Sequence, residues 1–248
     1  MRAARELRRA ASRRDRGEFL AEGIKLVADA VALGARPRRV FVDPDRLARS
    51  GPGRALLERL DPATVVAVSA DAMQALADTR TPQGVAAVFA AELTRQATGR
   101  ILLVLDGLQD PGNVGTAIRS AVASGLVETV LVRGGADPFG PKAVRAAAAA
   151  LFAVRVVRPA DDELPGLLRG RDVWIADAAG DRPYDAVDWR RPSALVIGSE
   201  ARGASPELRA LATGSVGVPL RGPVESLNAG VAASIIVFEA ARQLNRTA

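Results

Sequence analysis

The sequence predicts an α/β protein in two parts, and three observations carry that prediction. Short apolar runs rich in Val, Ile and Phe alternate with segments of helical periodicity along most of the 248 residues. One run, Ile101 to Leu105, is apolar without a break, as expected of a strand buried on both faces of a parallel sheet. Near the end, Val216 to Gln243 reads as a strand, a polar turn and a long helix. That arrangement sets a ligand beside a helix N-terminus at the edge of an α/β sheet.

Composition narrows the chemistry. Hydrophobic residues make up 48% of the chain, ample for a core, but only 4% are aromatic. There is no cysteine and no histidine, which removes disulfides, thiolate nucleophiles and every mechanism that needs an imidazole. No metal site is expected, no apolar run is long enough to span a membrane, and no signal peptide is visible. The expected compartment is the cytoplasm. The net charge is +6, and residues 1–16 alone carry seven arginines against Glu6 and Asp15. Their spacing suits a helix or a flexible arm. Such an arm attracts polyanions, RNA or DNA, or else is a solvated tail.

In chain order, Glu18 to Leu33 is predicted as one helix with Leu20, Ile24, Val27 and Val31 on its apolar face, stopped by Gly34. Val40 to Val42 is a strand. Arg54 to Leu60 is a short helix ended by Asp61-Pro62. Val65 to Val68 is a strand, Asp71 caps a helix from Ala72 to Ala77, and Val85 to Ala90 is a strand after the turn Thr81 to Gly84. Residues 17–91 therefore suffice for a small α/β domain, and the polar stretch 92–99 reads as a linker. The second domain, 100–248, opens on Ile101 to Leu105. A turn rich in Asp, Gly, Pro and Asn follows, then a helix from Thr116 to Ser124, a strand from Thr129 to Val132 and an alanine-dense helix from Pro141 to Phe152. Strand Val154 to Val157, helix Asp162 to Leu168 and strands Val173 to Ala176 and Leu195 to Ile197 come next. Helix Pro206 to Leu211 and strand Val216 to Leu220 lead to the closing helix, with Ser226 as its N-cap and Leu227, Val231, Ile235 and Phe238 as its apolar stripe.

Neither the dinucleotide fingerprint nor the Walker phosphate loop is present. What remains is three polar turns at strand ends, holding Asn113 with Arg119, Glu200 between Gly198 and Gly203, and Ser226 with Asn228. Each alone has an ordinary explanation as turn, cap or surface residue. Together, D-P-G-N-V-G-x-x-x-R from Asp110, G-x-E-x-x-G from Gly198 and V-P-x-x-G-x-x-x-S-L-N from Val218 resemble the three motifs of the SpoU/TrmH family of RNA ribose 2′-O-methyltransferases. The resemblance runs from Leu103 to Ala240. Glu22-Gly23-Ile24-Lys25 and Thr81-Pro82-Gln83-Gly84 resemble an L30e-like substrate-binding domain.

The resemblance implies an α/β trefoil knot, an exception to the rule that chains do not thread loops. It implies a homodimer that binds S-adenosyl-L-methionine and methylates structured RNA, with 23S ribosomal RNA the expected substrate. Transfer RNA and a non-catalytic role in ribosome assembly are the alternatives. Carried over, Arg119, Asn113, Glu200, Ser226 and Asn228 are the catalytic set. Ile197, Gly198, Ser199, Glu200, Gly203, Val218, Leu220, Ser226, Leu227 and Asn228 hold the cofactor. Arg9, Arg13, Arg14, Glu22, Lys25, Arg119, Lys142 and Arg145 face RNA. A ribose hydroxyl must lose a proton to attack a methyl group, and arginine is a reluctant base. Arg119 is therefore expected to position the hydroxyl and a neighbouring phosphate, with most of the rate coming from alignment. The sequence departs from the family pattern at Ser199, Leu220, Ala229-Gly230 and Ala149, where the family often has Asn, Met, Val-Ser and Gly.

Overall fold

The two predicted halves each build a sheet in this computed structural model, which describes residues 1–245. Residues 246–248, which close the predicted second domain, lie outside the described residues. The first sheet contains β1 (Glu18–Glu22), β2 (Arg39–Val42), β3 (Val65–Ala67) and β4 (Val85–Ala90), in the order β1-β4-β2-β3. Strand β4 is antiparallel to both β1 and β2, while β2 and β3 are parallel. Around it lie α1 (Arg2–Glu6), α2 (Ala10–Arg16), α3 (Ile24–Ala32), α4 (Pro44–Ala48), α5 (Gly51–Leu57) and α6 (Ala70–Leu76).

The second sheet is larger. It contains β5 (Ile101–Asp106), β6 (Val127–Arg133), β7 (Arg155–Val157), β8 (Asp172–Ala176), β9 (Arg182–Pro183), β10 (Ser193–Gly198) and β11 (Gly214–Gly217). The order is β7-β6-β5-β10-β8-β11-β9, and every pairing is parallel. Strand β10 follows β8 in the chain yet sits between β5 and β8, so late segments return to the middle of the sheet. The helices are α7 (Pro111–Ala123), α8 (Pro141–Ala147), α9 (Leu164–Leu167), α10 (Pro206–Leu211) and α11 (Ala229–Asn245).

Strand alternation decides which helices cover which face. Ile101, Leu103 and Leu105 of β5 share a core with buried residues of α7, α8 and α11. Leu102 and Val104 point the other way, into a core with Leu164, Leu168 and Leu208. Each such aliphatic side chain contributes about 1.5–3 kcal/mol when fully buried. Helices α7 and α8 approach so closely at Gly115 that a Cβ there would stand 2.5 Å from the Ala143 carbonyl oxygen and from the Ala146 Cβ. That contact requires glycine in α7 and small residues in α8. Phe19 and Phe89 from the first sheet pack with Phe139 and Phe152 from the second half, ring centroids 4.7–5.6 Å apart, so the halves share one core.

Several predicted elements shift, each for a local reason. Glu18 to Leu33 is not one helix. Phe19, Leu20 and Ala21 form a buried strand paired with β4, and Gly23, at φ 106°, breaks it from α3. Residues 1–16 are helical rather than an arm: Ala4 and Leu7 are buried among Leu20, Phe41, Met73 and Leu76. Ser69, not Asp71, caps α6 through the Ala72 amide. Helix α7 starts at Pro111, five residues early, because Asp110 caps it by accepting from the Gly112 amide at 2.5 Å. Strand β11 ends at Gly217, so Val218 to Asn228 lies outside regular structure. In α11 the predicted apolar stripe is the solvent side: Val231 and Phe238 are exposed, while Ala233, Ile236, Val237 and Ala240 face the core.

The predicted helix Pro141 to Phe152 breaks at Ala148, which has φ 51° and ψ −142° and leads into a 3-10 turn. This is the only non-glycine residue at positive φ among the described residues. It lies beside Ala149, where the resemblance expects glycine nearby. Such a conformation costs a side chain about 1–3 kcal/mol. Replacing Ala148 by Gly should stabilise the fold by about 1 kcal/mol. Urea unfolding monitored by circular dichroism checks this; an unchanged or lower midpoint would show that no strain is held there.

Candidate cofactor site

The three polar turns meet at the C-terminal edge of the large sheet. The ends of β8, β10 and β11, the loop 198–203 and the segment 218–228 enclose a cavity of about 580 Å³. All ten predicted cofactor-contacting residues line it, as does Asn113. Ile197, Val218, Leu220 and Leu227 give it apolar walls. The 198–203 turn is held by paired backbone bonds between Ser199 and Gly203, at 2.8 and 3.0 Å. A Cβ on Gly198 would meet the Ala204 nitrogen at 2.3 Å, so this close turn admits only glycine.

Asparagine side chains lock the turns together with a fixed polarity. The Asn228 Oδ1 accepts from the backbone amides of Gly230 and Val231, at 3.0 and 3.2 Å, and so caps α11. Ser226, the predicted cap, is exposed on the cavity wall. With its oxygen on the helix, Asn228 presents Nδ2 to Asn113 Oδ1 at 2.7 Å. Asn113 then donates its own Nδ2 to Glu200 Oε1 at 2.8 Å. The other oxygen of Glu200 accepts from the Gln109 amide at 3.3 Å. Burial acts to raise the Glu200 pKa, but the bonds from Asn113 and from the backbone amides of Glu200 and Gln109 prevail and hold it below its ordinary 4.5.

A second network, which the sequence reading missed, pins the loop from behind. Asp106, at the end of β5, accepts from the Ser205 amide at 2.6 Å and from Arg133 Nη1 at 2.8 Å. Arg133 also donates to Ser205 Oγ at 2.7 Å and pairs with Asp161, with Glu207 at 3.8 Å. Burial opposes the charge on Arg133, yet these carboxylates keep its pKa raised. Asp177, also unanticipated, and Arg202, which lies inside the Gly198–Gly203 turn but was given no role, line the cavity. No motif links Asp106, Arg133 and Ser205, because they meet only when β5, β6 and the start of α10 are assembled.

The predicted RNA-facing residues divide into two groups. Arg9, Arg14 and Arg119 are exposed. Arg13 is buried and committed: it pairs with Asp137 at 2.7 Å and donates to the carbonyls of Leu7 and Arg8. It therefore fastens α2 to the large domain instead of facing solvent. Arg145 pairs with Asp78 at 2.8 Å and with Glu22 at 3.2 Å, joining the two halves. Lys142 pairs with Asp110 at 3.0 Å, and Lys25 with Asp29 at 2.9 Å. Arg119 does not line the cavity. It sits six residues beyond Asn113, about 120° around α7 at 100° per residue.

The SpoU rRNA Methylase family profile matches residues 100–238, more than half of the chain. The chain belongs to this family. An MRM3-like substrate binding domain matches residues 1–87. A 23S rRNA (guanosine(2553)-2′-O)-methyltransferase of Bacillus subtilis is 38% identical over 69% of this chain and 70% of its own length. A 23S rRNA (uridine(2479)-2′-O)-methyltransferase of Streptomyces viridochromogenes is 33% identical over 92% and 83%. The crystal structure of the SpoU methyltransferase AviRb from that organism, in complex with S-adenosylmethionine, superposes with a TM-score of 0.88 at 29% identity, covering 98% of this chain and 97% of that one. The fold is the α/β trefoil knot of these enzymes, and the protein is an S-adenosylmethionine-dependent RNA 2′-O-methyltransferase. Among the described residues no helix is long and apolar enough to cross a membrane.

Because the Glu200 pKa is lowered in the fold, its ionised form stabilises the native state at pH values above the ordinary 4.5. That contribution should fade as pH falls below 4.5 and through the lowered folded value. Glu200→Gln should therefore flatten the loss of stability in this acid window, measured by urea unfolding across pH 3 to 6 (roughly the carboxylate range). Parallel curves for both proteins would show that the Asn113–Glu200 bond does not depend on charge.

Proposed function

We propose that this enzyme methylates a ribose 2′-hydroxyl of 23S ribosomal RNA in the cytoplasm, as a homodimer whose active site is completed across the subunit interface. The observation that carries this reading is the position of Arg119. The contacts Asn113–Asn228 and Ser120–Ser234 show that α7 and α11 run parallel. Helical phase then puts Arg119 on the same outer side of the pair as Val231, Ile235 and Phe238. Val231 and Phe238 are 43% and 50% exposed, an apolar stripe beside the cavity mouth. A two-fold partner packed on this stripe covers it and carries its own Arg119 toward the neighbouring cavity.

The cavity suits S-adenosylmethionine. Its apolar walls take a flat base, the glycine turn presents backbone groups at close range, and Glu200 supplies negative charge near a cationic ligand. The bound cofactor supplies an electrophilic methyl group. Asn113 and Asn228 hold the site rigid through their bonds to Glu200 and α11. The partner's Arg119 would orient the ribose hydroxyl and an adjacent phosphate; as the hydroxyl oxygen took the methyl group, the methyl–sulfur bond would break to leave the neutral thioether, and the hydroxyl proton would pass to water. The names of the relatives support ribosomal over transfer RNA.

Transfer of labelled methyl from S-adenosylmethionine to undermodified total RNA should mark the large ribosomal RNA. Label in transfer RNA alone would replace the substrate, and no label would overturn the reading. Arg119→Ala and Glu200→Ala proteins should each be inactive in this assay. When refolded together they should recover about a quarter of wild-type activity, because half the dimers then hold one intact shared site. No recovery would place Arg119 and Glu200 in one subunit's site.

A further inference from the structure

The first domain carries a second, open cavity that shares no residue with the candidate cofactor site. It measures about 870 Å³ and lies between α3, the α4–α5 segment and the turn before β4. Its floor is apolar, made by Ile24, Ala28, Pro52 and Leu56. Its rim is basic: Lys25, Arg46, Arg49 and Arg59 stand against one carboxylate, Asp29, which is paired with Lys25. Arg46 is spent on the Pro82 carbonyl. The guanidinium groups of Arg49 and Arg59 are exposed, with no side-chain hydrogen bond or ion pair among the described residues.

One polar group on the wall has a defined orientation. The Ile24 amide donates to Gln83 Oε1 at 2.8 Å. A backbone amide can only donate, so the side-chain oxygen is fixed there and Nε2 carries two protons with no partner among the described residues. Gly23 makes this possible, since a Cβ there would lie 3.3 Å from the same oxygen, on a backbone with φ 106°.

An apolar floor, an unspent amide donor and two free guanidinium groups complement a single nucleotide. The floor takes a base face, the amide meets a base carbonyl or ring nitrogen, and the arginines meet phosphate. A duplex cannot offer that combination, because its base faces are stacked. We propose that this cavity binds one unpaired nucleotide of the RNA, splayed out of its stack, as an anchor separate from the ribose that is methylated. The proposal rests on the reading of the substrate as RNA.

Fluorescence anisotropy on the full-length protein tests it, using a labelled single-stranded RNA of mixed sequence and a blunt duplex of the same strand. Gln83→Ala and Ala55→Trp, the second filling the cavity, should each weaken single-strand binding about tenfold, the worth of one stacked base. Duplex binding and S-adenosylmethionine affinity should stay at wild-type levels. If Ala55→Trp loses cofactor affinity, Gln83→Ala decides. Unchanged single-strand binding in the variants, equal loss of both probes, or a wild type that binds no single strand would each overturn the anchor. Methyl transfer by the wild type is scored separately. Variants unchanged beside an active wild type sink the anchor alone; a wild type that labels no RNA sinks the substrate reading itself.

Discussion

Asn228 has one side-chain oxygen, and α11 takes it. The polarity of the bonds that join the three turns follows from that commitment. With Oδ1 on the amides of Gly230 and Val231, only Nδ2 is left for Asn113. Asn113 must then accept with its oxygen and donate with its nitrogen, so its partner must be an acceptor. A carboxylate meets that demand without a proton to place. The helix cap thereby favours the ionised form of Glu200, in line with its lowered pKa, to which the bond from Asn113 contributes. None of these bonds is worth more than about 0.5–3 kcal/mol. Their value is directional: two segments, 87 and 115 residues along the chain from Asn113, are held with it in one geometry.

The scaffold serves this chain of bonds. Glycines at 115 and 198 let a helix pair and a turn close to distances that no side chain allows. The Asp106–Arg133–Ser205 network holds the back of the Glu200 loop. A buried pair of this kind is a poor source of net stability, because desolvation offsets its attraction. It does impose one position on the loop. On the far side, Arg13–Asp137 and Arg145–Glu22 tie the first domain to the second, and the four phenylalanines fill the seam. Any RNA bound by the first domain is thus presented to the cofactor site by a continuous core.

The α/β class, the parallel character of the large sheet and the three turns were legible because each leaves a local mark. A strand buried on both faces is an unbroken apolar run, and a tight ligand turn needs Gly, Asn and Asp. Period was ambiguous where a segment is short: Phe19-Leu20-Ala21 fits a helical face as well as a strand, and the pairing with β4 decided it. The stripe in α11 was read with the right period and the wrong direction. A residue pattern shows that one side of a helix is apolar, but Ala233, Ile236 and Ala240 are apolar too, and only packing on α7 shows which side is inside. Ser226 looked like the cap because Ser before an apolar run is the usual signal, and Asn228 took the role two residues later. The charges were least legible. Arg13 and Arg145 resemble free RNA contacts in sequence, and their carboxylate partners, Asp137 for the first and Asp78 and Glu22 for the second, lie 67 to 124 residues away.

The central claim is that Asn113 joins the Glu200 turn to the Asn228 helix as one unit. A double-mutant cycle on S-adenosylmethionine affinity, by calorimetry with Glu200→Ala, Asn228→Ala and the pair, measures it most directly. The two residues do not bond to each other, so independent sites would add. The bond chain predicts that the double variant binds little worse than the weaker single variant, a coupling of about 1 kcal/mol or more. Strict additivity would show that the three turns act separately, and would contradict the account.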